Sequence, residues 1–175
     1  MIIIGFHKPN APAYDDLVFD VLETILTTGR TSRMYRRLVT EKQIAESISA
    51  SNGIPGSRYP NLFTIFAKPR HPHTNLEMEN NILQEIEQLK NEPVTEAELT
   101  KAKNHLKIGY IQSLDSNTEL ASTLSYHEVL LGDFRFFSNY LDCIEKVTAD
   151  DIQKAARLYL IKENRTIAVL NRKKD

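Results

Sequence analysis

The chain opens on Ile2-Ile3-Ile4-Gly5-Phe6-His7, a run dominated by β-branched and other apolar residues. Such a run predicts a β-strand. Two prolines, Pro9 and Pro12, then mark a loop, and apolar side chains recur at helical spacing from Leu17 to Leu26. Because a protein rarely begins inside a strand, the sequence predicts a piece of a longer chain.

The same patterns predict the order of the other elements. Gly29 ends the first helix, and Thr31 or Ser32 can cap a second helix. Strands are expected over 44–51, 61–68 and 166–171, and helices over 76–90, 134–146 and 149–160, with a helical region from 95 to 132 interrupted at 115–117. Strands do not alternate strictly with helices. The sequence therefore predicts an α+β fold, a mostly antiparallel sheet with helices packed on one face, in a single domain over residues 1–175.

Two helix starts carry capping patterns. Thr95 and Glu98 form a capping box, in which the hydroxyl accepts a backbone N–H bond and the carboxylate reaches back to the cap residue. Thr148 is expected to cap the last helix. Acidic pairs at 15–16 and 150–151 lie near predicted helix starts, so the helix dipole and capping explain them without catalysis.

Composition excludes several classes of function. Apolar residues make up 41% of the 175, and 22 Lys plus Arg balance 23 Asp plus Glu. That balance gives no reason to expect a nucleic-acid partner, and no apolar run approaches the ~20 residues of a membrane span. The single cysteine excludes an internal disulfide. The charged tail Arg172-Lys173-Lys174-Asp175 is expected to be solvated.

The five histidines of the chain do not form a zinc site. A hydrolytic zinc needs about three ligands, and two ligands on one helix must stand three or four residues apart. No two histidines have that spacing, and neither H-E-x-x-H nor H-x-x-E-H occurs. We expect His71 and His73 to be exposed, and His127 and Glu128 to point apart on a helix. The sequence therefore predicts no metal ligand and no catalytic residue.

Other reactive side chains also fit structural roles. There is no G-x-S-x-G nucleophile motif and no P-loop. Cys143 lies beside Ile144 in an apolar helix, which predicts a buried, inert thiol. An aromatic cluster in the same region fits helical core packing better than a binding patch, and its members are Phe134, Phe136, Phe137 and Tyr140.

Several segments spread in order over most of the chain resemble one protein family. They are Ile4–Pro9 with Asp15-Asp16, Gly29–Val39 with Glu41–Ala45, Pro93–Leu99 with Ala102-Lys103, and Val147–Ile152 with Ala155-Ala156 and Tyr159-Leu160. Taken together, they resemble the second, non-catalytic half of the pitrilysin/insulinase group of zinc metallopeptidases, which includes the mitochondrial processing peptidase.

The resemblance implies partners and a role. Such enzymes pair two homologous α+β halves around a chamber. The first half carries H-x-x-E-H and a downstream Glu, which hold zinc, and the second half helps to shape the chamber. This chain would then bind no cofactor itself, pair with a catalytic half that holds the zinc, and help to dock a peptide substrate. Alone, such a half is expected to expose apolar surface and to self-associate.

Two positions depart from the family pattern. Many second halves carry an Arg and a Tyr aimed at the substrate, where this chain has Val39 and Glu46. Val has no hydrogen-bond donor, and Glu brings the wrong charge to an oxyanion. Because an extended peptide can add to a sheet edge, we expect substrate contacts from the strand that follows the Gly-rich turn and from two nearby cations, namely Ser47, Ser49, Ser51, Arg30 and Arg33. For these serines and arginines, a solvated surface is the competing interpretation.

Two alternative functions stay open at this point. The losses at Val39 and Glu46 also fit a structural core subunit of a larger assembly, which kept the fold without proteolysis. An H-x-x-E-H motif in a preceding half would favour the peptidase. The second alternative is an unrelated α+β domain that binds a small molecule, which a ligand bound away from the Gly-rich turn would favour.

Overall fold

The sheet has four antiparallel strands in a computed structural model that describes residues 1–171. The strands are Ile2–Lys8 (β1), Ala45–Ile54 (β2), Asn61–Pro69 (β3) and Arg165–Val169 (β4), in the spatial order β2-β3-β1-β4. The α+β class and the antiparallel sheet predicted from the sequence are confirmed. The prediction for the charged tail concerns residues 172–175, outside the described residues.

Six α-helices lie in the described part of the chain: Tyr14–Thr27 (α1), Asn75–Asn91 (α2), Glu96–Gln112 (α3), Asn117–Leu131 (α4), Phe136–Lys146 (α5) and Ala149–Tyr159 (α6). A π-helical turn spans Tyr35–Glu41, and a short 3₁₀ turn spans Lys162–Asn164. None of the described helices combines the length and the hydropathy needed to cross a membrane.

Side-chain alternation along the strands explains why the helices pack on one face of the sheet. Ile2, Ile4 and Phe6 of β1 are fully buried, and their register partners on β3 are the buried Ala67, Ile65 and Phe63. From α1, Phe19 places its ring 5.1 Å from that of Phe63. Burying one such side chain contributes about 1.5–3 kcal/mol, so this layer is the main source of stability.

Both predicted helix caps are present. The backbone N–H of Glu98 donates to Thr95 Oγ1 (3.3 Å), while the N–H of Thr95 donates to Glu98 Oε2 (2.8 Å). The same reciprocal pair joins Thr148 and Asp151, at 2.9 and 3.1 Å. These caps fix where α3 and α6 begin, and so where both helices can pack on the sheet.

The second predicted helix differs from its prediction. The Lys42 N–H donates to the carbonyl of Arg37, five residues back, which is a π-helical bond. Neither Thr31 nor Ser32 caps this turn. Ser32 is 3% exposed, and its hydroxyl donates to the Gly29 carbonyl (2.7 Å), so it stabilises the preceding turn instead.

The acidic pair at the start of α1 serves tertiary contacts as well as the helix dipole. Ala13, the N-cap residue, makes no side-chain cap. Asp16 pairs with Lys8, whose side chain is fully buried, and Asp15 accepts a hydrogen bond from the Tyr159 hydroxyl (2.5 Å). Burial and this bond raise the pKa of Tyr159 to about 12. The first turn of α1 is thereby tied to both β1 and α6.

The burial predicted for Cys143 is wrong, because the residue is only half-buried, at the margin of the core. The aromatic cluster divides in the same region. Phe137 is buried, Phe136 and Tyr140 pack against the core, and Phe134 is 49% exposed. The α5 helix therefore anchors on one face only, and its start reaches the surface.

Candidate functional site

The three predicted serines share one row on the helix-free side of the sheet, which we call the open face. Along β2, Ile48 and Ala50 point to the helices, so Ser47, Ser49 and Ser51 point the other way. Their partners on β3 are Lys68, Phe66 and Thr64, and the last two lie beside Ile3 and Gly5 of β1. Ser47 and Ser49 are exposed, and Ser51 is half-buried. The structure thus brings the three serines together.

The open face is polar at its β2 side and apolar in its middle. Ile3, Leu62 and Phe66 are half-buried there, while His7 is exposed. Leu62 leans over Gly5, where an added Cβ would lie 3.1 Å from Leu62 Cδ1. Hydroxyls next to a shallow apolar strip can hydrogen-bond a peptide backbone while its side chains contact the strip.

The outer edge of β2 is partly occupied by α1. The Ala50 N–H donates to Thr27 Oγ1 (2.9 Å), and the Asn52 N–H donates to Glu23 Oε2 (2.8 Å). Both N–H groups point away from β3, because residues 49 and 51 make the ladder bonds in this register. Side chains from α1 therefore take up two positions to which an added strand would have to bond.

A half-buried polar cluster supports this covered edge. The Asn52 side chain donates to Asp20 Oδ1 (2.8 Å) and to the Asp16 carbonyl (3.0 Å), and the Tyr140 hydroxyl donates to Asp20 Oδ2 (3.1 Å). Burial raises the pKa of Asp20 to about 6, although its bonds from Asn52 and Tyr140 oppose the shift. Burial also raises the pKa of Glu23. The cluster joins α1, α5 and the end of β2.

The two predicted arginines lie in different environments. Arg30 is exposed beside Gly29, whose φ of +80° makes the turn. Arg33 forms a bidentate pair with Glu98 of α3, with Nε–Oε1 at 2.6 Å and Nη2–Oε2 at 2.8 Å. This pair lowers the pKa of Glu98 to about 2. The Arg33 guanidinium is therefore engaged in holding the Gly-rich turn to α3.

The positions that depart from the family pattern have local roles here. Val39 is half-buried against the core. Glu46 is exposed and accepts a hydrogen bond from Lys68 Nζ (2.9 Å) across the β2–β3 pair. Neither residue presents a free donor to the open face.

Metal-ligating side chains are dispersed. Within residues 1–171, no group of three or more His, Cys, Asp and Glu is placed to hold a metal ion. His71 is exposed as predicted, but the exposure predicted for His73 is wrong, because His73 is half-buried with its Nδ1 3.0 Å from Glu77. His127 stacks on the Phe136 ring, is tilted against the Phe137 ring and bonds the Thr123 carbonyl at 2.8 Å. The donor set does not fit the zinc of a hydrolytic site.

Sequence reasoning missed one surface, which we call the arm and define as residues 107–134. The buried residues of α3 all lie in its first half, and α4 has none. Six large apolar side chains of the arm are at least 42% exposed: Ile108, Ile111, Leu114, Tyr126, Val129 and Phe134. The apolar residues of α4 are spread around the helix rather than along one stripe, and this pattern is the signal that marks the surface in the sequence.

The fold and site define a class: an α+β domain whose described residues hold no group of three or more metal ligands. The model of the family described as the Peptidase M16 inactive domain matches residues 1–106. The chain belongs to that family.

One curated relative and several solved structures are similar to the chain. Zinc protease PqqE of Helicobacter pylori is 24% identical over 158 residues, which cover 90% of this chain and 35% of that protein. The chain thus spans about a third of that relative.

Among solved structures, a protease from Helicobacter pylori has a TM-score of 0.86 at 22% identity, covering 95% of this chain and 40% of that one. The inactive peptidase domain of a zinc-protease candidate from Bordetella parapertussis has a TM-score of 0.85 at 23% identity, covering 99% and 91%. A chain of complex III2 from Candida albicans has a TM-score of 0.80 at 16% identity, covering 95% and 41%. These likenesses concern the fold.

Proposed function

We propose that this chain is the non-catalytic second half of a two-half zinc peptidase and that its open face lines the substrate chamber. The observation that carries the proposal is a sheet with helices on one side and a row of three serines on the other. Membership of the inactive-domain family supports it. The peptide bond would be cut by a homologous half that carries H-x-x-E-H and holds the zinc.

The substrate peptide would contact side chains of the open face rather than the backbone groups along the β2 edge. Thr27 and Glu23 already bond the outward N–H groups of Ala50 and Asn52. Ser47 and Ser49 are exposed beside Phe66, so an extended peptide can meet hydroxyls and an apolar strip at once. Of the two predicted cations, Arg33 is paired with Glu98. Arg30 is exposed, and we assign to it the contact with an acidic group of the substrate.

The arm is the surface that we assign to the catalytic half. Exposed patches of large apolar side chains on a soluble domain mark interaction sites, and six such side chains belong to the arm. In the absence of that half, the same surface would drive self-association.

The test joins this chain to its catalytic half and follows cleavage of a fluorogenic peptide. Ser49→Trp should raise KM several-fold because the indole covers the open face, with little change in kcat. Ser138→Trp, at an exposed position on α5, is the matched control and should leave KM unchanged. Equal kinetics for both variants would refute a peptide site on the open face.

The alternative is a structural core subunit of a larger assembly. It is favoured by Val39, packed against the core, and by Glu46, paired with Lys68, because neither can assist hydrolysis. If the joined halves form a stable complex that cleaves no peptide and binds no zinc, the structural role replaces the peptidase role.

A further inference from the structure

A cavity with a polar floor lies on the helix side of the sheet, away from the open face. It is lined by Asp20 of α1, Asn52 near the end of β2, His127 of α4 and Tyr140 of α5, and its volume is about 170 Å³. Since one water molecule takes up roughly 30 Å³, the cavity has room for about five non-hydrogen atoms. We call it the α1–α4 cavity, and the function proposed for the open face makes no use of it.

The hydrogen-bond acceptors of the α1–α4 cavity are not saturated. Asn52 Nδ2 donates to Asp20 Oδ1 (2.8 Å) and to the Asp16 carbonyl (3.0 Å), so turning the amide over would set its oxygen against two acceptors. In this orientation Asn52 Oδ1 is buried and has no hydrogen-bond partner within residues 1–171. The Tyr140 hydroxyl donates to Asp20 Oδ2 (3.1 Å), but a carboxylate oxygen can accept a second bond. Because a buried acceptor without a donor is unfavourable, this cavity suits a ligand that donates hydrogen bonds.

The charge beside the cavity is negative. Burial, followed by the charges of Asp16 and Glu23, raises the pKa of Asp20 to about 6, so its carboxyl is still ionised at pH 7. The buried cation nearby, Lys8, pairs with Asp16 and donates to the Pro9 carbonyl (2.9 Å). In the part of the chain that the structure describes, Asp20 forms no ion pair. A cation bound here would therefore meet a carboxylate that lacks a counter-ion.

Aromatic rings supply much of the remaining lining, namely Tyr126, His127, Phe136 and Tyr140. His127 stacks on Phe136 with ring centroids 5.9 Å apart, and the Tyr126 ring meets His127 edge-on at 5.5 Å. Aromatic faces attract cations, and the rings together with Leu130 can cover an apolar stem. Tyr126 is 51% exposed, so its ring lies where the cavity reaches solvent.

A metal ion fits this lining less well than an organic cation does. Ca²⁺ takes about six to eight oxygen ligands, and within residues 1–171 no three or more His, Cys, Asp and Glu are placed to hold a metal. An organic cation uses the acceptors and the aromatic rings together.

We propose that the α1–α4 cavity binds a primary ammonium group carried on an alkyl stem of about four carbons. The ammonium donates to the Asp20 carboxylate and to Asn52 Oδ1, and the stem packs against the aromatic rings and Leu130. A lysine side chain and a free alkylamine share this chemistry. The site stands apart from the function proposed above, because the sheet separates it from the open face.

The test titrates the isotope-labelled chain with n-butylamine at about pH 7 and constant ionic strength. The NMR signals of the Asn52 side-chain amide and the Gly53 backbone should shift, with a Kd in the millimolar range expected of so small a ligand, while Gly29 beyond the far end of α1 should not. Butanol, which has the same size without the charge, should bind roughly tenfold more weakly. Tetramethylammonium, which keeps the charge but has no N–H donor, should bind roughly fivefold more weakly.

Asp20→Asn removes the charge and keeps the shape of the side chain, and it should weaken binding of n-butylamine roughly tenfold or more. The new amide can accept from Asn52 and donate to the Tyr140 oxygen, so the fold should be kept. Asp15→Asn is the matched control on the same helix: its carboxylate bonds Tyr159 instead, and binding should be unchanged. Tyr126→Ala, at an exposed ring, should weaken binding about threefold.

A second ligand distinguishes the two sources of the ammonium group. If N-acetyl-lysine methylamide binds as tightly as n-butylamine, the occupant is a lysine side chain of a polypeptide, and if only n-butylamine binds, it is a free amine. Three outcomes would overturn the proposal: equal binding of n-butylamine and butanol, unchanged binding by Asp20→Asn, or no saturable shift at Asn52, which would mean that the cavity holds water only. The open-face assay with Ser49→Trp is independent of all three.

Discussion

The sheet layer, in which the inward side chains of β1 and β3 pack against α1, and the arm are both rich in apolar residues. In the sheet layer these residues are buried, and in the arm they are exposed. In the sheet layer, Phe6, Phe19 and Phe63 are fully buried, whereas α4 in the arm buries no residue. The difference is one of periodicity. The strands alternate and α6 has one apolar stripe, while the apolar residues of α4 are spread around the helix. The number of apolar residues sets how much apolar surface an element has. Their periodicity along the chain decides whether that surface faces the core or a partner.

The largest expected effect tests the packed side of this comparison. Phe63→Ala removes a fully buried ring in contact with Phe19 and should cost about 3–5 kcal/mol, from lost burial and the cavity that remains. Chemical denaturation would measure it. Phe134→Ala in the arm, at a ring 49% exposed, is the matched control and should cost below about 1 kcal/mol. Similar losses would mean that the arm is packed as tightly as the sheet layer.

The next largest loss of stability depends on pH and concerns the N-terminus of α3. Glu98→Gln keeps the capping geometry but removes the charge paired with Arg33, and at pH 7 it should cost about 1–2 kcal/mol, since the pair is partly exposed. The pKa of Glu98 is lowered from 4.5 to about 2. Its contribution is therefore present above pH 4.5 and is lost as the pH falls towards 2. Unfolding of both proteins across this range should show the gap closing, and a constant gap would contradict the role of the charge.

A smaller loss is expected at the cap itself. Thr95→Ala removes the hydroxyl that accepts the Glu98 N–H and should cost about 1 kcal/mol. For a chain of this size, that lowers Tm by roughly 2–4 °C. Thr95→Ser keeps the hydroxyl and should melt near the native value. An unchanged Tm for Thr95→Ala would show that α3 does not depend on its cap.

The smallest expected change in stability comes from a surface substitution in the arm, which should clearly reduce self-association of the chain. Val129→Lys, at a side chain 71% exposed in the arm, should change the free energy of unfolding by less than about 0.5 kcal/mol. It should nevertheless reduce self-association in light scattering at high protein concentration. Leu158→Lys, 61% exposed on α6 outside the arm, should leave association unchanged. A native chain that stays monomeric at high concentration would contradict the assignment of the arm as a contact surface.

Local signals predicted much of the fold. Thr95 and Thr148 predicted where α3 and α6 begin, because a capping box involves two residues only three positions apart. Gly132, with φ of +69°, ends α4 where the sequence predicted. Each of these features is determined within one turn of chain, so a single sequence contains the information.

Features that depend on distant residues were not predictable in this way. Ser32 was expected to cap a helix, but it bonds within the preceding turn. Asp15 and Asp16 were explained by the helix dipole, yet their partners Tyr159 and Lys8 belong to other elements. The cover on the β2 edge joins Thr27 to Ala50, 23 residues apart. The row of serines could be proposed from strand alternation, but the helix-free side of the sheet could not be identified without the packing.

The paired bonds between Met1 and Leu170 have a consequence for how this module can be rearranged. Met1 immediately precedes β1 and Leu170 immediately follows β4, and the two exchange both backbone hydrogen bonds, with N···O distances of 3.1 and 2.9 Å. Two chain positions that meet in this way can be joined by a short linker, as circular permutation requires. A glycine linker between residues 170 and 1 and an opening at the exposed turn at residues 115–116 would reorder this module and leave every strand pairing of the sheet in place.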